Sequence, residues 1–216
     1  MTTQFEQRPV TQSARSGDLA TLLRSRRSVR QFQNRPVERA LIEQILEAAR
    51  WAPSPHGRQP WRFVILTRRE IKERLADRMG DTWRRELQMD GQSEEIVAIR
   101  MRKSRERIIN APVVIIPCLY LEDLDRYPDE RRNADEQIMA IQSLGAAVQN
   151  MLLMAYDLGL DSGWMCAPLF CPEIVCDALN LDTHLIPHAL ITVGYAVADP
   201  KRRERLPLSS LIVRFD

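Results

Sequence analysis

The chain has 216 residues, 44% hydrophobic and 28% charged, with Lys+Arg 31 against Asp+Glu 29. That length suits one large domain or two small ones around a substantial core. The near-balance of charge excludes a basic nucleic-acid binder, no continuous apolar run approaches the roughly 20 residues of a membrane span, and the polar N-terminus has no signal-peptide core.

Residues 1–15 are polar and aperiodic and are expected to form a mobile N-terminal arm, leaving one domain over 16–216. Asp18 can cap a helix that runs to about Ser25. Arg26-Arg27-Ser28-Val29-Arg30 follows, three guanidinium groups and a hydroxyl within five residues. Guanidinium is a planar fork that pairs bidentately with phosphate, so the run offers a seat for a phosphorylated ligand. In an extended backbone Arg26, Ser28 and Arg30 share one face and Arg27 points the other way. From Glu38 to Trp51 the apolar positions Leu41, Ile42, Ile45, Leu46, Ala48 and Ala49 keep helical spacing. Pro53, Pro55 and Pro60 then make residues 53–60 a stiff loop.

Trp61–Leu66 reads as a strand. Residues 68–79 and 81–109 read as charge-rich helices with a break at Gly91, a solvated cover over something else. Pro112–Leu121 is an apolar run of strand length, and Pro117 suggests an irregular or edge position. A polar loop carries Tyr127-Pro128-Asp129 and Arg131-Arg132. Ala134–Leu158 is the longest helix expected, apolar nearly all round in its second half (Ala146, Ala147, Val148, Met151, Leu152, Leu153, Met154), as befits a core or a subunit interface. Gly159 ends it. Ser162–Ala167 is strand-like, Pro172 opens a helix to about Leu179, and Ala189–Val197 is a last core strand. The tail carries Arg202, Arg203 and Arg205, then a strand-like stretch over Leu208–Phe215. Helices and strands alternate without a composition break, which predicts one α/β-type domain without repeats. The apolar long helix and tail exceed what one core needs, which predicts a homodimer.

None of the eight glycines forms a dinucleotide fingerprint or a phosphate-binding P-loop, and neither GxSxG nor HExxH occurs. His184 and His188 are split by Pro187, so no metal site is predicted. Cys118, Cys166, Cys171 and Cys176 form no CxxC pair, which predicts reduced thiols and a cytoplasmic protein. The two arginine clusters, 26–30 and 202–205, are left either as two solvated turns or as a joint grip on one phosphate dianion.

Five motifs occur in the order used by the FMN-dependent nitroreductase family, over roughly residues 19–210. They are Arg26–Arg30, the loop Pro53–Trp61, Gly145–Asn150, Gly159–Trp164 and the closing Arg203-Glu-Arg205-Leu-Pro207. A narrower likeness joins this resemblance: Tyr127-Pro128-Asp129, Arg132, Glu136 and Met139 before Gly145 are similar to the C-terminal flavin domain of the bifunctional enzyme that matures the deazaflavin coenzyme. The resemblance implies an α+β fold, a three-layer α/β/α sandwich around a mostly antiparallel sheet, in an intertwined homodimer holding FMN at its interface. It also implies roles. Arg26, Ser28, Arg203 and Arg205 would hold the FMN phosphate and Arg27 would lie along the ribityl chain. Arg30 would sit at the pyrimidine edge, where a fixed cation favours two-electron reduction. Pro53 and Ser54 would come from the other subunit, and backbone N–H groups at Met165, Cys166 and Ala167 would face the hydride-transfer atoms. The family usually has Asn at Gly57 and Glu-Gly at Cys166-Ala167.

No nucleophile is needed, because the flavin carries the chemistry. His56 is the titratable group expected over the flavin, as a substrate contact or proton relay, and Arg132 is expected to face a charged substrate. The expected function is an FMN oxidoreductase acting on a phosphorylated, flavin-like small molecule such as the dehydro precursor of the deazaflavin coenzyme. Alternatives are a broad NAD(P)H-dependent nitro- or quinone reductase and a flavin-binding protein without turnover. NAD(P)H and reduced flavin both stay open as electron donor.

Overall fold

The computed structural model describes residues 18–200 and 204–216; the expected arm over 1–15, with Arg202 and Arg203, lies outside the described residues. Helix α1 (Leu19–Ser25) starts at Asp18, whose carboxylate accepts the Thr21 N–H at 2.8 Å. Helix α2 (Arg39–Arg50) buries Leu41, Ile42, Ile45 and Ala49 along one stripe. Strand β1 (Trp61–Leu66) follows the proline-rich loop, in which Pro55–Gly57 forms a single 3-10 turn.

Helix α3 (Arg69–Met89) runs straight through Gly80, where the sequence suggested a boundary. Gly80 is buried, and a Cβ there would come within 2.8 Å of Met101 Cε on α4 (Glu94–Ile109). The glycine therefore marks close helix packing, not a helix end. The real break is at Gly91, with φ +71°.

Strand β2 (Val113–Tyr120) is central, not an edge, although it contains Pro117. Its register with β1 pairs Pro117 with Phe63. On the other side β5 (Leu190–Gly194) covers residues 113–115 and β4 (Leu185–Pro187) covers 118–120. Pro117 falls at the joint between those two strands. There its carbonyl accepts the His188 N–H at 2.9 Å, and its own nitrogen owes no ladder bond.

Helix α5 (Glu130–Asp157) begins earlier than expected, because the Asp129 side chain caps it by accepting the Arg132 N–H. It has the length and hydropathy of a membrane span. Its apolar side serves the core instead: Ala140, Leu144, Ala147, Val148 and Met151 pack with α2 residues and the inner face of the sheet. Strand β3 (Asp161–Met165) is shorter than expected, and Ala167–Phe170 forms a 3-10 turn before α6 (Pro172–Leu179).

The sheet order is β1-β2-β5-β3, with β4 also on β2, and every ladder is antiparallel. This is an α+β arrangement, which corrects the α/β reading taken from alternation alone and agrees with the fold implied by the resemblance. Alternate β2 residues serve two cores. Val113, Ile115 and Leu119 join α2 and α5 on one face. Val114, Ile116 and Cys118 join residues of α3, α4 and α6 on the other. The tail is not a strand. After a 3-10 turn at Leu208–Ser210 it leaves Leu211, Ile212, Val213 and Phe215 exposed.

Candidate functional site

The arginine run is held against the edge strand β3. Val29 N–H donates to the Ser162 carbonyl at 2.8 Å, and Ser28 bridges Ser162. Gly163 makes this approach possible, because a Cβ there would collide with the Val29 carbonyl oxygen and stand 2.9 Å from Thr192 Oγ1. The chain then turns to follow the end of β5: Gln33 N–H donates to Tyr195 O, Val197 N–H donates to Gln31 O, and Phe32 bridges Ala196. Residues 28–33 are thus stitched to two strands while their polar side chains stay outside.

Arg26 is half-buried, and its guanidinium is pushed toward lower proton affinity first by burial, then by the charges of Arg205 and Arg27. The structure therefore brings Arg205 to Arg26, as one of the two sequence alternatives required. Arg27 turns one guanidinium nitrogen back onto the Arg24 and Arg26 carbonyls, at 2.6 and 2.8 Å. Arg26 Nε, Arg27 Nε, Arg27 Nη2 and Ser162 Oγ are buried without a hydrogen-bond partner. Clustered like charges with unsatisfied, desolvated donors are costly unless an anion supplies the acceptors. A phosphate would meet that need in charge and in acceptor oxygens.

Beside this cluster lies a cavity of about 580 Å³. Ser28, Arg30 and Phe32 form one wall and Lys103, Arg107 and Asn110 of α4 form the opposite one. Sequence reasoning took α4 for a solvated cover and missed these last three. The signal was present: Lys103, Arg107 and Asn110 keep i, i+4, i+7 spacing and so share one face of the helix. Met165 ends β3, the strand that carries the arginine run, and Cys166 and Ala167 follow it, both exposed. Cys166 is a free thiol, as are Cys118, Cys171 and Cys176; burial pushes Cys118 up to about 12 and Cys171 to about 11.

The other predicted residues gather elsewhere. Pro53, Ser54 and His56 precede β1, at the sheet edge opposite β3, three strand steps or about 14 Å away. Ser54 Oγ accepts the Gln59 N–H and so ties the loop together. His56 adopts φ +53° and faces Asp125, with Nε2 3.8 Å from Oδ2. Arg132 is engaged by Asp129 at 2.5 Å and lies over the Tyr127 ring at 4.7 Å. One chain therefore holds the arginine cluster and the His56 loop apart.

Comparison with known proteins agrees with this architecture. The model of the nitroreductase family matches residues 23–195. A protein of Thermus thermophilus named NADH dehydrogenase is 30% identical, over 91% of this chain and 95% of its own. One of Methanothermobacter thermautotrophicus, described as an NADH dehydrogenase/NAD(P)H nitroreductase, is 28% identical, over 87% of this chain and 82% of its own. Among solved structures, a protein from Desulfovibrio desulfuricans described as a nitroreductase in complex with FMN has a TM-score of 0.71 at 25% identity, covering 93% of this chain and 98% of that one. A BluB-like flavoprotein from Clostridium difficile 630 shares the fold, with a TM-score of 0.78 at 24% identity, over 93% of this chain and 100% of its own.

Proposed function

Because this chain belongs to the nitroreductase family, we propose that it is an FMN-dependent oxidoreductase passing two electrons from a reduced nicotinamide to a small organic acceptor, such as a nitroarene or quinone. The observation that carries the cofactor is the set of buried, unpartnered guanidinium nitrogens of Arg26 and Arg27 with Arg205 beside them. FMN accompanies the Desulfovibrio relative in its structure, and the names of the Thermus and Methanothermobacter relatives favour a nicotinamide donor.

Bound here, FMN would supply hydride chemistry that no side chain of the site offers. Arg26, Ser28 and Arg205 hold the phosphate, with Arg203 joining them by family resemblance. Arg27 would lie along the ribityl chain, as the family resemblance implies. Arg30, Lys103 and Arg107 line the cavity together with Glu106 and Asp199, and Arg30 would place positive charge where a reduced ring system carries negative charge. Backbone N–H groups of Met165, Cys166 and Ala167 meet the opposite edge of the ring.

Pro53 and Ser54 reach the same ring only from a second copy of the chain, since in their own chain they sit at the far edge of the sheet. A homodimer is part of this reading, and exposed Ile138 and Ile141 on α5, with the apolar tail, offer it a surface. His56 then contacts the acceptor and can donate a proton to a reduced oxygen. The free thiols suit a reducing, cytoplasmic setting.

The narrower substrate, a deazaflavin phosphate, rested on Arg132 meeting a charged group. Arg132 is already paired with Asp129 and stacked on Tyr127, which favours the broader reductase. Anaerobic addition of NADH or NADPH to the purified protein tests the proposal. Bleaching of flavin absorbance, followed by recovery on adding a nitroarene or quinone, is expected. Flavin that neither nicotinamide bleaches would leave a binding protein without turnover.

A further inference from the structure

The geometry points to a metal site on the loop that carries His56: we propose that His56, Asp125 and Glu136 bind one divalent cation of zinc type, an ion that would occupy the His56 ring nitrogen in place of the proton-donor role. Their ligand atoms all lie within 4.8 Å of one another. The residues come from three places, the 3-10 turn at Pro55–Gly57, the loop before α5 and α5 itself, so no spacing motif announces them. This is why the sequence predicted no metal.

Glu136 is the strongest part of the case. It is 4% exposed, and among the described residues it has no ion-pair partner. Its one hydrogen bond is from the neutral Tyr127 hydroxyl, at 3.4 Å to Oε1. A buried carboxylate with so little compensation calls for a cation.

Asp125 divides its two oxygens. Oδ1 accepts from Arg58 Nη2 at 2.5 Å, and Oδ2 faces His56 Nε2 at 3.8 Å. Arg58 thus orients the carboxylate from outside while its inner oxygen stays available, the usual role of groups behind metal ligands. One imidazole and two carboxylates suit zinc and similar ions better than magnesium, which favours oxygen alone. Zn–N and Zn–O bonds near 2.0–2.1 Å set ligand atoms about 3.4 Å apart. Side-chain adjustment has to close the difference, and the exposure of His56 gives the ion a way in. A bound ion would tie the Pro53–Pro60 loop to the loop before α5 and to α5.

Zinc chloride titrated into the full-length, EDTA-stripped protein against a chromophoric zinc indicator tests this. The wild type is expected to take up one tightly held zinc per chain, and His56→Gln and Glu136→Gln each to weaken it tenfold or more. His184→Gln and Cys166→Ser remove the other exposed histidine and the exposed cysteine and should leave the affinity unchanged. His56→Gln lies on an exposed loop, so it decides the matter even if Glu136→Gln fails to fold. No zinc uptake by the wild type, or uptake that survives His56→Gln but not His184→Gln or Cys166→Ser, overturns the assignment.

Discussion

Arg205 stands beside Arg26, close enough for its charge to depress the proton affinity of the half-buried Arg26 guanidinium, although the whole sheet lies between them in the chain. A half-buried guanidinium with a second, exposed one beside it makes a poor resting arrangement and a good anion seat. Each charge-assisted contact to a phosphate is worth about 1.5–3 kcal/mol. Arg26→Ala and Arg205→Ala are therefore each expected to weaken FMN binding tenfold or more, with the folded state of the flavin-free protein no less stable. Flavin affinity unchanged in both variants would contradict this arrangement.

Gly163 couples the sheet to the same seat. A methyl group there meets the Val29 carbonyl and Thr192 Oγ1, and it must push the arginine run off β3. Gly163→Ala is expected to reduce bound FMN sharply while the far-ultraviolet circular dichroism stays close to that of the wild type. Full flavin content in this variant would mean that the Val29–Ser162 hydrogen bond does not position the arginines.

Met151 looked from sequence like an interface residue, but it is 1% exposed and belongs to the core of the single chain. The exposed apolar residues of α5 are Ile138 and Ile141. Ile141→Glu is expected to give a folded monomer in sedimentation with much less FMN, because the loop carrying Pro53 and Ser54 would then lack a partner ring. A variant that stays dimeric, or a monomer that keeps its flavin, would argue against an interface at this face.

His188 supplies a pH effect of known sign. Burial lowers its proton affinity below the ordinary histidine value of 6.5. Protonation then favours the unfolded chain, so the stability tied to neutral His188 is present above that value and is lost as the pH falls below it. Thermal unfolding should shift down between pH 7.5 and pH 5.5, and His188→Asn should shift less. Equal shifts in the two proteins would assign the acid sensitivity to other groups.

Much of this was legible in the residues. Asp18, the α2 stripe, β1 and α6 follow local rules that tertiary context did not override. Pro117 and Gly80 misled because each was read for its backbone habit, whereas the joint between β4 and β5 accommodates the proline and Met101 needs the space at the glycine. The arginine seat was visible as composition, but its donors count only through burial, which no spacing reveals. Lys103 and Arg107 were hidden among similar charges on α4, and the neighbours of His56 came together only through folding.

The central claim is that the Arg26–Arg205 cluster is a phosphate seat for a flavin, and riboflavin tests it most directly because it differs from FMN only by the phosphate. Fluorescence titration of the flavin-free protein should give one FMN per chain, bound at least a hundredfold more tightly than riboflavin; that ratio is about 2.7 kcal/mol, just under the roughly 3–6 kcal/mol of two such contacts. Riboflavin binding as tightly as FMN would contradict it.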